Sequence, residues 1–370
     1  MCTYNLKAQL IFPRLNIEEY FYSENYKNEI LQLVELGVGG FCLFKGSIDQ
    51  TAKLTTELQK SARIPLLFCA DFENGLTMRL TDGTSFPHSM ALGKTDVEII
   101  YKVAKAIAKE AKMLGVNWIL APVCDINNNR NNPVINIRSF GEDAELVQKH
   151  ISAYIKGLQE EKIIACAKHF PGHGNTSTDS HNELPILNHT IEDLEKLELL
   201  PFKTAIELNV KSIMPGHLAL PIIDSSGLPA TLSNKIITDL FINKLNYKSL
   251  DITYALDMKA VTLHCTTIQA CEYALKAGAD VLLMPENPFE AIEFINTYED
   301  AELFNQINIS LTKISDLKKW TGLFDQKTFY YTPDRKQFFS NEKLALLAAL
   351  KSTEVQGDKT IIPLNEESVI

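Results

Sequence analysis

Residues 163–185 read Ile-Ile-Ala-Cys-Ala-Lys-His-Phe-Pro-Gly-His-Gly-Asn-Thr-Ser-Thr-Asp-Ser-His-Asn-Glu-Leu-Pro, and the architecture of the chain can be inferred outward from them. The first five residues are apolar and predict a buried strand that ends at Lys168. Three histidines, Lys168 and Asp179 then follow at the mouth of that strand and in the loop after it. Pro171 stiffens the exit from the strand, and two glycines allow turns that other residues resist. No packing requirement explains this mixture, so it indicates a functional loop.

Within the loop, Asp179 lies two residues before His181. A carboxylate that hydrogen-bonds one ring nitrogen fixes the histidine tautomer and raises the basicity of the other nitrogen, which would make His181 a proton shuttle near neutral pH. One alternative is a solvated or structural histidine. Another is a metal site, because His169, His173, His181 and Asp179 are all ligand types, but their spacing matches none of the tight zinc pairs. We therefore predict no metal and no cofactor.

Composition limits the partners. The chain has 370 residues with 45% hydrophobic content, which suits one barrel-sized domain with an appendage. Its net charge of -10 argues against nucleic acid or an anionic membrane surface and favours a neutral ligand. The seven cysteines form an odd set without a repeating spacing and indicate reduced core residues. No signal peptide or membrane-spanning run is visible, so a cytoplasmic location is expected.

Short apolar runs alternate with longer amphipathic runs along the chain. The pattern predicts strands at 38–44, 65–70, 116–122, 163–168, 212–215, 250–253 and 280–284. It predicts helices at 49–62, 96–114, 146–160, 191–208, 232–245, 267–277 and 342–350. Strands and helices that alternate at this spacing indicate parallel pairing with right-handed crossovers. About eight such units close into a (β/α)₈ TIM-type barrel, which is the predicted α/β fold class.

Polar residues collect just after the predicted strands, at Asp71 and Arg79, Asp125 and Arg138, Lys168 and His169, and His217. In a barrel these positions share the rim where active sites are built from the strand-to-helix loops. A doubly wound sheet would also gather them at the carboxyl ends of its strands. However, no Gly-x-Gly-x-x-Gly follows the first predicted strand, which disfavours nucleotide binding, and no Gly-x-Ser-x-Gly elbow indicates a serine hydrolase.

Several motifs together resemble one family. The segments 168–174 (Lys-His-Phe-Pro-Gly-His-Gly), 179–181 (Asp-Ser-His) and 184–185 (Leu-Pro) are similar to the signature of glycoside hydrolase family 3, in its bacterial β-N-acetylglucosaminidase branch. Further matching segments occur in the family's order, at 71–75 with Arg79, 86–87, 90–93, 132–135, 138–141, 214–217 and 229–233.

The resemblance implies retaining hydrolysis of a β-linked N-acetylglucosamine, taken from peptidoglycan-derived cell-wall fragments, with an Asp nucleophile and a His-Asp acid/base pair. It makes His181 the acid/base and Asp179 its orienting partner. It also implies substrate-binding roles for the matched positions Asp71, Arg79, Arg138, Lys168, His169, His217 and Met258. Carboxylates accept from paired sugar hydroxyls, and cations fix the ring. The alternative for Asp71 and Arg138 is an ion pair at the rim.

The sequence departs from the family at the nucleophile. Aligning Thr253 and Met258 with the family pattern places Tyr254 where the Asp is expected. A phenol with an ordinary pKa near 10 is mostly neutral at pH 7, although tyrosine is the nucleophile in sialidases. Asp251 and Asp257 each lie three residues from Tyr254, and this odd spacing points them to the other face of a strand. A further departure is Leu76, where the family often has Arg.

Two hypotheses follow. The first is a β-N-acetylhexosaminidase-like enzyme with low activity, and the second is a sugar-binding or regulatory homologue that has lost turnover. A phosphorylase is a third alternative, but that route also needs the nucleophile. We predict a barrel domain over 1–322, and a linker with the start of a missing or truncated α/β sandwich domain over 323–370, so that the parent protein would carry a second domain.

Overall fold

The computed structural model describes residues 6–178, 183–298 and 300–353. These residues form an α/β fold with a parallel sheet of seven strands and a separate parallel pair. The strands are β1 (Ile11–Phe12), β2 (Arg14–Asn16), β3 (Gly40–Phe44), β4 (Leu67–Ala70), β5 (Trp118–Ile119), β6 (Ile164–Phe170), β7 (Ser212–Pro215), β8 (Leu250–Asp251) and β9 (Leu282–Leu283). The large sheet runs from β2 to β8 in sequence order, and β1 pairs with β9. The predicted alternation with parallel pairing is therefore confirmed.

Helices connect the successive strands. They are α1 (Ile17–Tyr22), α2 (Glu24–Leu36), α3 (Ile48–Ser61), α4 (Ser89–Leu92), α5 (Val97–Met113), α6 (Ala144–Glu160), α7 (Ile191–Lys196), α8 (Leu200–Glu207), α9 (Lys259–Thr262), α10 (Thr267–Ala277), α11 (Pro288–Thr297), α12 (Ala301–Trp320) and α13 (Arg335–Ser352). A helix with π geometry, Lys235–Lys244, lies between β7 and β8. Short 3₁₀ turns occupy Leu6–Leu10, Leu76–Met78, Asn136–Arg138, Ala230–Leu232 and Leu323–Asp325.

The pair β1 and β9 lies between the two edges of the large sheet. On one side β1 continues through Pro13 into β2, and Gly39 N donates to Ile11 O at 3.1 Å. On the other side Ile252, just after β8, forms a parallel bridge with Val281, just before β9. Main-chain hydrogen bonds thus join the small sheet to both edges of the large one.

Local sequence accounts for these elements. Every residue of β4 and β6 is buried, as expected for parallel strands whose faces are both covered. Helix α3 begins at Ser47, whose hydroxyl accepts from Gln50 N at 3.2 Å while the Gln50 side chain accepts from Ser47 N at 3.0 Å. This capping box satisfies two backbone groups that would otherwise lack partners. Helix α10 ends at Gly278, whose φ of 109° is easily adopted only without a Cβ.

Large aromatic side chains fill the space between the strands. Trp118 is fully buried, contacts Phe12 edge to face at 5.7 Å, and donates from Nε1 to Ser212 Oγ at 2.8 Å. Phe41 and Phe68 stack at 6.4 Å on the neighbouring strands β3 and β4. The centre of the sheet is therefore a packed core, so a ligand cavity must form at the strand ends.

Some predicted elements were wrong in extent. The helix predicted over 191–208 is two helices, because the chain breaks at residues 197–199 before α8 begins with Pro201 in its first turn. The strand predicted over 116–122 is only β5, Trp118–Ile119. The helix predicted over 342–350 is longer, because α13 begins at Arg335, where the Asp334 side chain accepts from Lys336 N. The N-cap residue Asp334 predicts the start of α13 better than the apolar pattern of the helix does.

The segment after α12 packs back onto the main fold. Tyr331 N donates to Thr56 Oγ1 at 3.1 Å, and Asn341 Nδ2 donates to the buried Glu110 Oε1 at 2.7 Å. The six cysteines that the structure describes are free thiols, and all except Cys265 are buried, as the sequence predicted. Within the described ranges, no helix is both long enough and apolar enough to cross a membrane.

Candidate active site

A cavity of about 400 Å³ lies at the carboxyl ends of the strands. Six residues predicted from the sequence line it, namely Asp71, Arg79, Arg138, Lys168, Tyr254 and Met258. The rest of the wall consists of Arg14, Cys42, Phe44, Glu73, Met78, Leu120, Met214, Ala255, Leu283 and Met284. Parallel strands bring together these side chains, which lie up to 270 positions apart in the chain (Met284 against Arg14).

Five of the lining side chains form one continuous charge network. Lys168 Nζ donates to Asp71 Oδ1 at 2.8 Å and lies 2.7 Å from Glu73 Oε1. Arg79 pairs with the other oxygen of Asp71. Arg138 grips Glu73 with two nitrogens, Nε at 3.0 Å and Nη2 at 2.7 Å. The rim pair considered between Asp71 and Arg138 is therefore wrong, because each is held by a different partner.

The network keeps its members charged although Glu73 and Lys168 are buried and the other three are partly buried. Burial alone would raise the pKa of Asp71, but Lys168 and Arg79 overcome this effect and hold that pKa well below its usual range. Burial likewise opposes ionisation of Glu73, yet Arg138 and Lys168 lower its pKa to about 2. Burial would lower the pKa of Lys168, whereas the two carboxylates raise it above the ordinary value. At neutral pH the network thus holds two carboxylates and three cations.

His169 and His217 lie behind the cavity wall. His169 is fully buried, and its Nδ1 donates to Asp125 Oδ2 at 2.8 Å. Burial lowers the pKa of His169 to about 4, so the ring is neutral and Nε2 carries no proton. His217 Nε2 donates to the Ala255 carbonyl at 2.8 Å. Neither histidine lines the cavity, so their predicted contact with substrate stays a prediction.

The Tyr254 ring packs against the rings of these two histidines. Its ring lies 5.1 Å from the rings of both His169 and His217, measured between centroids. It follows β8 directly, and Thr253 Oγ1 fixes the segment by accepting from Leu283 N at 2.9 Å. Burial raises the pKa of Tyr254, although the charges of Arg138 and Lys168 oppose that rise. The phenol is therefore neutral at neutral pH.

The two aspartates nearest to Tyr254 in the sequence lie outside the cavity wall. Asp251 is buried in β8, is not among the lining residues, and has a pKa raised by burial and by the neighbouring Asp280. Asp257 pairs with Arg14 at 2.7 Å, with both side chains partly exposed. Neither lines the cavity, as their odd spacing from Tyr254 predicted. Within the described ranges, the lining carboxylates are Asp71 and Glu73, and both are held in ion pairs.

Glu73 is a member of the network that the sequence motifs did not predict. Glu73 carried a signal, because it follows Asp71 by two positions and alternate residues of an extended segment share a face. Arg14 and Phe44 were also missed, since nothing in their local sequence marks them. The predicted acid/base pair, Asp179 and His181, lies outside the described residues.

These features define a polar cavity at the strand ends of a parallel α/β fold. The chain belongs to glycoside hydrolase family 3, because the family model described as "Glycosyl hydrolase family 3 N terminal domain" matches residues 7–317. It is 37% identical over 273 residues to beta-hexosaminidase A of Pseudoalteromonas piscicida, which covers 67% of this chain and 46% of that protein. It is 30% identical over 280 residues to a beta-hexosaminidase of Nitrosomonas eutropha, with coverage of 73% and 80%.

Solved structures agree with this membership. A glycoside hydrolase family 3 beta-N-acetylglucosaminidase from Paenibacillus sp. str. FPU-7 superposes with a TM-score of 0.84 at 32% identity, covering 97% of this chain and 72% of that one. The chain spans about half the length of two relatives, 46% of the Pseudoalteromonas protein and 53% of a Cellulomonas fimi beta-N-acetylglucosaminidase/beta-glucosidase.

Proposed function

We propose that this chain binds a terminal β-linked N-acetylglucosamine of a peptidoglycan-derived saccharide and hydrolyses its glycosidic bond slowly, by a retaining mechanism. The observation that carries the proposal is the charge network around the cavity of about 400 Å³. Its carboxylates can accept hydrogen bonds from sugar hydroxyls while its cations hold them in place. The names of the relatives, beta-hexosaminidase and beta-N-acetylglucosaminidase, support this substrate class.

The proposed roles follow the family resemblance. His181 protonates the leaving oxygen in the first step and activates water in the second, while Asp179 orients its ring. Asp71, Arg79, Arg138 and Lys168 hold the sugar hydroxyls. The pairing of these four residues within the network supports that role, because fixed charges need no reorganisation when charge develops on the sugar.

Tyr254 limits the rate in this proposal. The covalent intermediate of a retaining enzyme would form on its phenolic oxygen, which must first lose its proton. With a pKa of 10 only about one phenol in a thousand is ionised at pH 7, and burial raises the pKa of Tyr254 further. Turnover is therefore expected to be slow beside that of a variant with a carboxylate at this position.

Recognition of the sugar without turnover is a second candidate function. The neutral phenol of Tyr254 favours it, as does the pairing of both lining carboxylates with cations. Such a protein would keep the network and the cavity as a binding site. The two candidates differ only in whether a bond at the anomeric carbon breaks.

The test compares hydrolysis of an aryl β-N-acetylglucosaminide by the native chain and by Tyr254→Asp, Tyr254→Phe and His181→Ala. Calorimetry with N-acetylglucosamine measures binding to all four proteins. We expect slow turnover by the native chain and a rise of about 10²- to 10³-fold in kcat for Tyr254→Asp. We expect no turnover by His181→Ala. Tyr254→Phe is the matched control, since it removes only the oxygen.

Each outcome separates the candidates. Native turnover that is lost in both Tyr254→Phe and His181→Ala supports the slow hydrolase. Sugar binding by the native chain with turnover only in Tyr254→Asp supports recognition alone. Native turnover that persists in Tyr254→Phe would contradict a nucleophilic role for Tyr254, and absence of sugar binding in every protein would contradict both candidates.

We also propose that the strands close into a (β/α)₈ barrel over residues 1–322, with β1 and β2 counted as one strand interrupted at Pro13. The hydrogen bonds that join the small sheet to both edges of the large one support this closure. We propose that 323–370 links the barrel to a second domain in the parent protein. The partial coverage of the Pseudoalteromonas relative supports that division.

A further inference from the structure

A lysine on α12 is buried with no carboxylate partner among the described residues. Lys318 is 1% exposed, and its Nζ donates to Gln9 Oε1 at 2.6 Å. Among the side chains that the structure describes, no carboxylate oxygen lies within 4.0 Å of that nitrogen. Buried lysines are nearly always paired, because an isolated ammonium in an apolar environment is costly. Lys318 therefore differs from Lys168, which has two carboxylates.

Hydrogen bonds fix the Gln9 side chain so that only its Oε1 can accept from Lys318. Its Nε2 donates to the carbonyls of Gly37 at 2.7 Å and Val38 at 3.1 Å, which turns Oε1 toward Lys318. An ammonium has three N–H donors, so two of them have no acceptor in the described part of the chain. Burial lowers the pKa of Lys318 to about 7, and no neighbouring anion counters this effect. The side chain is thus charged most readily when an anion joins it.

Lys318 lines a cavity of about 510 Å³ at the end of the sheet opposite the candidate active site. The position follows from Gln9, which precedes β1, and Ile64, which precedes β4. Leu6, Ile64, Leu311, Ile314 and Phe324 form the apolar part of the wall, and Asn308, Thr312, Ser315, Asp316 and Lys319 form a polar part. Leu6 and Phe324 are 55% and 45% exposed, so the apolar part is open to solvent. The cavity thus combines a partly apolar wall with one buried cationic end.

We propose that this cavity binds a small apolar monocarboxylate, whose carboxylate accepts from Lys318 Nζ and whose hydrocarbon part lies along the apolar wall. An isolated ammonium matches one carboxylate, whereas a phosphate group needs several donors. Lys319 also lines the cavity, but its Nζ forms an ion pair with Asp316 Oδ1 at 3.2 Å. The Asp316 carboxylate would repel a dianion.

The test measures binding of sodium hexanoate to the native chain by calorimetry and thermal shift, at constant ionic strength and one pH unit below the pKa of Lys318. Acetate and inorganic phosphate serve as comparisons. We expect saturable binding of hexanoate, weaker binding of acetate by up to about fourfold for each methylene removed, and no saturable binding of phosphate. Equal binding of all three anions would overturn the proposal, since it would indicate surface attraction.

Two variants locate the site. Lys318→Met is expected to weaken hexanoate binding by at least about tenfold, the usual worth of a hydrogen bond to a charged group. Lys276→Met removes a half-exposed charge on α10, outside the cavity lining, and is expected to bind hexanoate as the native chain does. An equal loss in both variants would contradict the assignment.

A measurement on the native chain covers the case in which Lys318→Met does not fold. With ¹³C at the lysine ε carbons, saturating hexanoate should shift the signal of one buried lysine, and acetate should shift it less. Binding of hexanoate without such a shift would overturn the role of Lys318. None of these measurements reads glycosidase activity, so they stand or fall apart from the proposed function.

Discussion

Replacing Lys168 by methionine tests whether the charge network stabilises the folded chain. Lys168 is 1% exposed and contacts Asp71 at 2.8 Å and Glu73 at 2.7 Å. Methionine has nearly the same length and no charge, so the change removes the two ionic contacts and leaves little empty space. Arg79 and Arg138 still hold one carboxylate each, so neither anion is left wholly unpaired.

The expected loss of stability can be worked from these contacts. Hydrogen bonds to charged groups contribute about 1.5 to 3 kcal/mol each, and breaking a buried pair costs about 3 to 5 kcal/mol. We therefore expect the free energy of unfolding to fall by about 3 to 5 kcal/mol. With an average unfolding entropy of about 2.1 cal/mol/K per residue, 370 residues give about 1.3 °C per kcal/mol, so Tm should fall by about 4 to 6 °C.

The assay is thermal unfolding followed by circular dichroism and calorimetry at neutral pH. Lys276→Met is the control, because Lys276 is half exposed and pairs with Glu272 one helical turn away. Such a solvent-exposed pair contributes little to stability, so the Tm of this variant should hardly change. A decrease for Lys168→Met no larger than that of the control would refute the reasoning.

The pH dependence gives a second check. The pKa of Glu73 is lowered to about 2 from 4.5. A carboxyl with a lowered folded-state pKa contributes stability that is present above the unfolded value and is lost as pH falls through the folded value. The difference in Tm between the native chain and Lys168→Met should therefore shrink as pH falls from 4.5 toward 2. A difference that stays constant over this range would contradict the assigned pairing.

Two further predictions concern the core. Burial raises the pKa of Asp251, with Asp280 adding to the effect, so the folded state binds the extra proton and stability falls as pH rises above 3.8. Asp251→Asn cannot ionise and should gain at least about 1 kcal/mol over the native chain near pH 8, measured as Tm against pH. In Gly40→Ala the new Cβ would lie 1.8 Å from Leu67 O and separate β3 from β4, costing at least about 4 kcal/mol. Gly227→Ala has nothing within 4 Å and only its φ of 78° to strain it, so thermal unfolding should show a loss of about 1 kcal/mol.

An Asp251→Asn variant that loses stability equally at pH 5 and pH 8 would contradict the raised pKa of Asp251. A Gly40→Ala variant with the same Tm as Gly227→Ala would contradict the close approach of β3 to β4.

Residues that act within one strand or turn could be inferred from the sequence. Lys168 follows an apolar run, and Tyr254 lies at a fixed spacing before Met258, so the sequence predicts both at strand ends. The alternation of strands and helices needed only the apolar periodicities, because these are set by local geometry. The helix starts at Ser47 and Thr266 likewise carry their caps in the local sequence.

Partners that come from different strands could not be inferred. The sequence suggested an ion pair between Asp71 and Arg138. In the fold Asp71 pairs with Lys168 and Arg79, and Arg138 pairs with Glu73. His169 was predicted to contact the substrate, but its partner Asp125 and its packing against Tyr254 could not be read from the sequence. A side chain's partner depends on the register and twist of neighbouring strands, which no local pattern encodes.

The sequence alone determined that this is a parallel α/β chain with polar, reactive residues after its strands, and it predicted Tyr254 at the position of the family's carboxylate. Only the tertiary structure decided which charges meet, which histidines pack behind Tyr254, and that Lys318 is buried at the opposite end of the sheet with no carboxylate beside it among the described residues. The physical reason is that hydrophobic periodicity and caps act over a few residues, whereas burial and ion pairing depend on contacts between distant segments.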